Sequence, residues 1–155
     1  MDKLNFRQVH LDFHTSEYIN NVGESFDSDK FAQILNESCV NSITCFARCH
    51  HGWLYYPSKN NSEMIHPNLK NKNLLIEQIK ACHKLDIKVP IYTTVQWDGY
   101  ISSRFPQWLS RDVNGDVICT QNVEKPHFYD TICLNSPYRE YFKKHIIDII
   151  ESVGE

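Results

Sequence analysis

Apolar and polar positions along this chain switch from a two-residue to a helical period three times, in the same order. "QVHLDFHT" (Gln8 to Thr15) is rich in strand formers, and "FDSDKFAQILNES" after it repeats its apolar residues at helical spacing. There Asp27 is positioned to cap a helix, with Phe31, Ile34 and Leu35 on one stripe. "VNSITCFARCHH" is a second strand pattern. The polar loop "SKNNSEMIHPNLKNKN" leads from it to "LLIEQIKACHKLD", whose Leu75, Ile79 and Cys82 share a face. "IKVPIYTTVQW" is the third strand pattern, again dense in β-branched and aromatic residues. The long segment from Asp98 to Leu134 contains "RDVNGDV", whose Asn-Gly predicts a hairpin or tight turn. Ser136 and Pro137 then open a helix over "YREYFKKHIIDIIESV", with Tyr138, Phe142, Ile146, Ile149 and Ile150 as its buried side.

Strands alternating with helices predict a parallel sheet with right-handed crossovers. A doubly wound sheet and a (β/α)8 barrel both accommodate three such units. No glycine-rich phosphate loop follows the first strand, which argues against the nucleotide-binding sheet. All three strands end in polar and aromatic clusters: His14-Thr15, His50-His51-Gly52-Trp53 and Gln96-Trp97-Asp98. Strand C-terminal ends build the site in barrels, so the expected fold class is α/β, the first three units of an incomplete TIM barrel. A full barrel needs about 250 residues. Residues 1–155 are therefore expected to be the N-terminal part of a single catalytic domain, with two strand edges unpaired and marginal stability alone.

Bulk properties narrow the partners. The chain is 41% hydrophobic and 23% charged with a net charge of −3, and no basic block offers a footprint for nucleic acid or anionic lipid. No apolar run approaches the roughly 20 residues of a membrane helix, and the N-terminus lacks a signal-peptide core, so a cytoplasmic, membrane-free protein is expected. The six cysteines are expected to be reduced and mostly buried. Cys45 and Cys49 would stand roughly 13 Å apart on a strand, Cys39 and Cys82 fall on helical patterns, and no C-x-x-C pair exists. No cofactor is called for.

Three constellations could carry chemistry. On the first strand His10, Asp12 and His14 alternate and so share a face, a set of donors that suits zinc or iron. Against that, His10 and Asp12 can be structural, with only His14 reaching the rim. Adjacent His50 and His51 point to opposite faces of a regular strand, but both can line a pocket where the strand bends, as neutral partners for hydroxyl groups. Trp53, Tyr55 and Tyr56 offer flat apolar faces with polar edges, as a sugar ring requires, or pack under a loop. Trp97 can form a stacking wall and Asp98 a hydroxyl-binding carboxylate, or Asp98 can be ordinary turn chemistry before a glycine. Asp112 and Asp116 are expected to be solvated turn residues.

"FARCHHGWLYYPSK" resembles the K-H-H-D-G-F-x-x-[YW]-x-S segment at a strand end of α-L-fucosidases, and "DFHTS" resembles their first-strand F-x-H-W-G. With "HLDFHTS", "CHHG-x-x-YYPSK", "IYTTVQWD" and "C-x-NSPYREY" in order, the chain is similar, from Arg7 to Ile150, to a related group of glycosyl hydrolases. The resemblance implies a carbohydrate substrate and a sugar subsite lined by His14, His50 and His51, with Gly52 and Trp53 at the motif's glycine and aromatic positions. The aspartate of His-His-Asp-Gly is missing here, and Thr15 and Ser16 replace the first-strand tryptophan and glycine. The resemblance also implies a retaining mechanism whose nucleophilic aspartate lies at the end of the fourth strand and whose acid/base comes later still, both outside these residues. The substrate-binding set is thus His14, His50, His51, Trp53, Trp97 and Asp98. The alternatives are a metal-dependent barrel hydrolase using His10, Asp12 and His14, and a non-catalytic carbohydrate-binding barrel.

Overall fold

Three short parallel strands, in the order β1-β2-β3, form the sheet on which everything else is placed. A computed structural model describes residues 5–119 and 129–154. The elements are β1 (Gln8–His10), α1 (Ser28–Glu37), β2 (Ser42–Arg48), α2 (Leu74–His83), β3 (Ile91–Thr93), α3 (Gly99–Arg104) and α4 (Tyr138–Val153). Val9 lies opposite Ile43 and Cys45 opposite Ile91, so β2 is central. Apart from Thr44, its residues are buried, as a strand covered on both faces must be.

Local chemistry explains the helices. The Asp27 side chain accepts from the Lys30 N–H at 2.9 Å and starts α1 as expected. Ala32 and Leu35 face the core, while Ile34, assigned to that stripe from spacing, is 52% exposed. Leu75, Ile79 and Cys82 of α2 are buried against Ile43, Cys45 and Ala47 of β2. The other side of β2 presents Phe46 to a second cluster with Val22, Cys49, Tyr55 and Leu69.

Three expectations change. The extended pattern from Gln8 to Thr15 yields a strand of only three residues, so Asp12 and His14 lie beyond β1 and no strand pleat holds them on the face of His10. In α4, Tyr138 and Ile149 are buried, but Ile150 is 63% exposed and the polar His145 and Asp148 point inward. Of the six cysteines, all free, Cys45, Cys49 and Cys82 are buried, whereas Cys39 and Cys119 are exposed. Cys39 sits just past the end of α1 with a φ of 58°, where the chain turns outward.

The segment after β3 forms α3 and then a hairpin-like excursion in which Leu109 bridges Ile132 and Arg111 bridges Val117. Its Asn-Gly turn is present. Asp112 Oδ1 accepts from the N–H groups of Asn114 and Asp116, both at 2.9 Å, and Gly115 takes a φ of 88°. Among the described residues no helix is long and apolar enough to cross a membrane.

Candidate functional site

The C-terminal ends of β1, β2 and β3 gather a nest of rings. Tyr92 of β3 stacks on Phe46 of β2, with centroids 4.2 Å apart and planes 28° apart. Two residues past β2, the His50 Nε2 lies 2.7 Å from the Tyr92 hydroxyl. The His14 ring approaches His50 to 4.0 Å and meets Phe46 and Tyr92 edge-on. Trp97, four residues past β3, meets His50 edge-on at 5.2 Å. Three of the residues expected at the site, His14, His50 and Trp97, thus converge although they come from three separate loops.

Two polar atoms in this nest are buried without a hydrogen-bond partner among the described residues: His14 Nε2 and Trp97 Nε1. Natural interiors rarely leave such atoms unpaired, because each costs about 1–3 kcal/mol. Burial, assisted by the neighbouring His14, pushes the His50 imidazole down to about 4. His50 is therefore neutral through the physiological range, able to donate from one nitrogen and accept at the other. His14 Nδ1 lies 2.6 Å from Asp12 Oδ1, which also accepts the His14 backbone N–H at 3.0 Å.

The adjacent histidine faces a different group. His51 Nδ1 lies 3.9 Å from Glu17 Oε2, and the Trp53 indole N–H donates to the same oxygen at 3.3 Å. Trp53 also meets Tyr100 edge-on at 5.5 Å. Asn68 Nδ2 donates to the Glu17 carbonyl at 2.7 Å, and the His66 ring lies 2.9 Å from the Ser16 carbonyl, which together anchor that loop. His50 and His51 therefore divide, although both lie in the turn that the Gly52 N–H closes on the Cys49 carbonyl at 2.9 Å. Glu17 is absent from the residues expected at the site. Its only sequence signal is its place three residues after His14, because one glutamate in a polar loop forms no pattern.

Asp98 does not stand at the rim. It is wholly buried and ion-paired with Arg48, which is also wholly buried at the end of β2. Its Oδ1 caps α3 by accepting the Ile101 N–H at 3.0 Å. Burial pushes the carboxyl upward against the pull of Arg48. The expected hydroxyl-binding role is thus replaced by a structural one. Arg48 Nε donates to the Gly52 carbonyl at 3.3 Å, and the Gly99 N–H donates to the His50 carbonyl at 2.8 Å. These bonds clamp the His50–Gly52 loop to the start of α3. Gly52 has a φ of 91°, and a Cβ there would lie 2.5 Å from Tyr100 Cβ and 2.6 Å from Asp98 Oδ1.

The two tyrosines that follow are also structural. Tyr55 is buried with its hydroxyl 2.5 Å from Thr15 Oγ1, tying the second motif to the first. The Tyr56 hydroxyl donates to Asp148 Oδ2 at 2.8 Å, as does Ser58 at 2.6 Å. The three donors of His10, Asp12 and His14 do not form a metal cradle. His10 packs edge-on to Phe46 and Tyr92, and no group of three or more metal-binding side chains occurs among the described residues.

Residues 27–155 match the family described as hypothetical glycosyl hydrolase 6. Among solved structures, α-L-fucosidase isoenzyme 2 from Paenibacillus thiaminolyticus is similar over 95% of this chain and 22% of its own, at 43% identity and a TM-score of 0.85. The α-fucosidase of Thermotoga maritima in complex with fucose is similar over 85% of this chain and 27% of its own, at 15% identity and a TM-score of 0.57, a likeness of fold. No curated protein matches. The chain spans 22–27% of the length of these solved structures.

Proposed function

Because the chain belongs to the family described as hypothetical glycosyl hydrolase 6, we propose that it forms the sugar-holding part of an α-L-fucosidase-like glycoside hydrolase. In this reading its three strand–helix units are the first three of a (β/α)8 barrel, and the strand ends face the substrate. His14, His50 and Trp97 hold one side of a monosaccharide through hydroxyl groups, while His51 and Trp53, braced by Glu17, line the other. The observation that carries the reading is the ring nest with two buried, unpartnered polar atoms, one on His14 and one on Trp97. A ligand with adjacent hydroxyl groups and one apolar face fits such a nest.

Retaining hydrolysis needs two carboxyl groups about 5 Å apart, one of them held protonated. Asp12 is unsuited to the acid role, since its hydrogen bond from His14 holds its carboxyl below the usual range. Asp98 is locked in its ion pair. We assign nucleophile and acid/base to residues outside this chain, and the chain's own share of the mechanism is to bind and orient. Residues 1–155 should bind methyl α-L-fucopyranoside in an NMR titration, with shifts at His14, His50 and Trp97, and should not turn over aryl α-L-fucosides. Turnover by this chain would overturn the placement of the carboxyl pair, and shifts confined to other residues would remove the ring nest from the site.

A further inference from the structure

The unpartnered nitrogen of His14 has a definite chemical sense, because its other nitrogen is committed. Asp12 Oδ1 receives two bonds from the same residue, the backbone N–H at 3.0 Å and the ring at Nδ1, 2.6 Å away. An ionised carboxylate only accepts, so the proton between them must reside on Nδ1. Asp12 is indeed held ionised, its carboxyl lowered chiefly by that bond. Free neutral imidazole favours the opposite tautomer, with the proton on Nε2. The carboxylate therefore inverts the ordinary preference, and Nε2 is left as a bare acceptor, buried, with no partner among the described residues. An indole N–H, by contrast, can only donate. Trp97 Nε1 is likewise buried and unpartnered, and its ring and that of His14 both pack on His50.

Resting on the functional reading above, we propose that Asp12 is a positioning residue that sets the neutral His14 ring as an acceptor at Nε2, and that His14 Nε2 and Trp97 Nε1 form an acceptor–donor pair for the hydroxyl groups of a vicinal diol. One hydroxyl donates to His14 while a neighbouring oxygen accepts from Trp97. The two-residue spacing of Asp12 and His14 matters only because β1 ends at His10. Beyond the strand the chain can turn so that the same carboxylate also accepts the His14 backbone N–H, a bond that a regular strand would prevent. The pair rejects an anion, which cannot donate to His14, and an ether, which satisfies only Trp97. A deoxy sugar lacking one of the two hydroxyls leaves one atom unsatisfied.

The tautomer is directly readable from 15N chemical shifts of the imidazole nitrogens, without any sugar, at a pH where the ring is neutral. In the unmodified chain His14 should show a protonated Nδ1 and an unprotonated Nε2. Asp12→Ala should return it to the Nε2-protonated form and weaken methyl α-L-fucopyranoside binding about tenfold, the loss of one hydrogen bond. Asp12→Asn keeps an acceptor oxygen and should preserve both tautomer and binding. An Nε2-protonated His14 in the unmodified chain, or an unchanged tautomer in Asp12→Ala, overturns the role of Asp12 while leaving sugar binding by the site intact. The expected tautomer with no binding of the glycoside overturns the functional reading and, with it, the diol assignment.

Discussion

A histidine kept neutral among aromatic rings is a different reagent from one in water. His50 contacts His14 and Trp97 and shares a hydrogen bond with Tyr92, so its removal should strip the nest of its centre. His50→Ala is expected to weaken fucoside binding by about 1–3 kcal/mol, the cost of leaving a hydroxyl group unpaired, as measured by calorimetric titration. Because the His50 ring ionises only near pH 4, its contribution to binding should be level from about pH 5.5 to 8. A loss of affinity centred near pH 6.5 would mean that the ring is solvated rather than buried. His14, His50 and Trp97 were singled out in the chain because each falls after a β-rich run, where a strand must hand over to a loop, whereas Phe46 and Tyr92, inside their strands, gave no such signal. Asp98 was misread for a physical reason. A carboxylate before a glycine signals a turn or an exposed acid, and only its ion pair with Arg48, fifty residues earlier, makes it buried.

Between elements, two buried polar centres do the fastening. Asp148 of α4 accepts from Tyr56, Ser58, the Lys59 and Asn60 backbone N–H groups and the Asn60 side chain. That explains why "YYPSK" follows the histidine pair: the loop is pinned to α4. Burial alone would raise the Asp148 carboxyl, but these donors outweigh it and hold it low. Its contribution is therefore present above about pH 4 and lost as pH falls through the folded value. Asp148→Ala should destabilise the fold by more than about 3 kcal/mol in urea unfolding, since several buried donors lose their acceptor at once. The second centre is the Arg48–Asp98 pair, where removing either partner strands a buried charge. Asp98→Ala is expected to cost about 3–5 kcal/mol in the same assay. Periodicity assigned α4 correctly but turned its inner face toward Ile150, because a hydrophobic stripe cannot report an aspartate whose partners lie on a distant loop. The six-residue α3 was too short for any period to reveal.

At the scale of the molecule, the parallel order of the three strands was recoverable from alternation alone, while their lengths were not. β1 and β3 keep only three residues each, because the polar residues beyond them turn toward one another instead of pairing with a neighbour. Two neutral histidines also tie stability to pH. Burial holds His50 down at about 4 and His145, beside the Arg48 charge, at about 3. Both bind protons more readily when unfolded, so stability is complete above about pH 6.5 and falls as pH drops toward those values. Melting temperatures between pH 7 and 4.5 should decline accordingly, with a shallower slope in His145→Gln. An unchanged slope would place that ring in solvent.

The central claim is that these residues grip a sugar and leave its cleavage to carboxylates elsewhere. Equilibrium binding of methyl α-L-fucopyranoside to the folded chain, measured side by side with His50→Ala, tests it most directly. The account predicts saturable binding that weakens about fivefold or more in the variant. Equal affinity in both, or none in the well-folded parent, would contradict it.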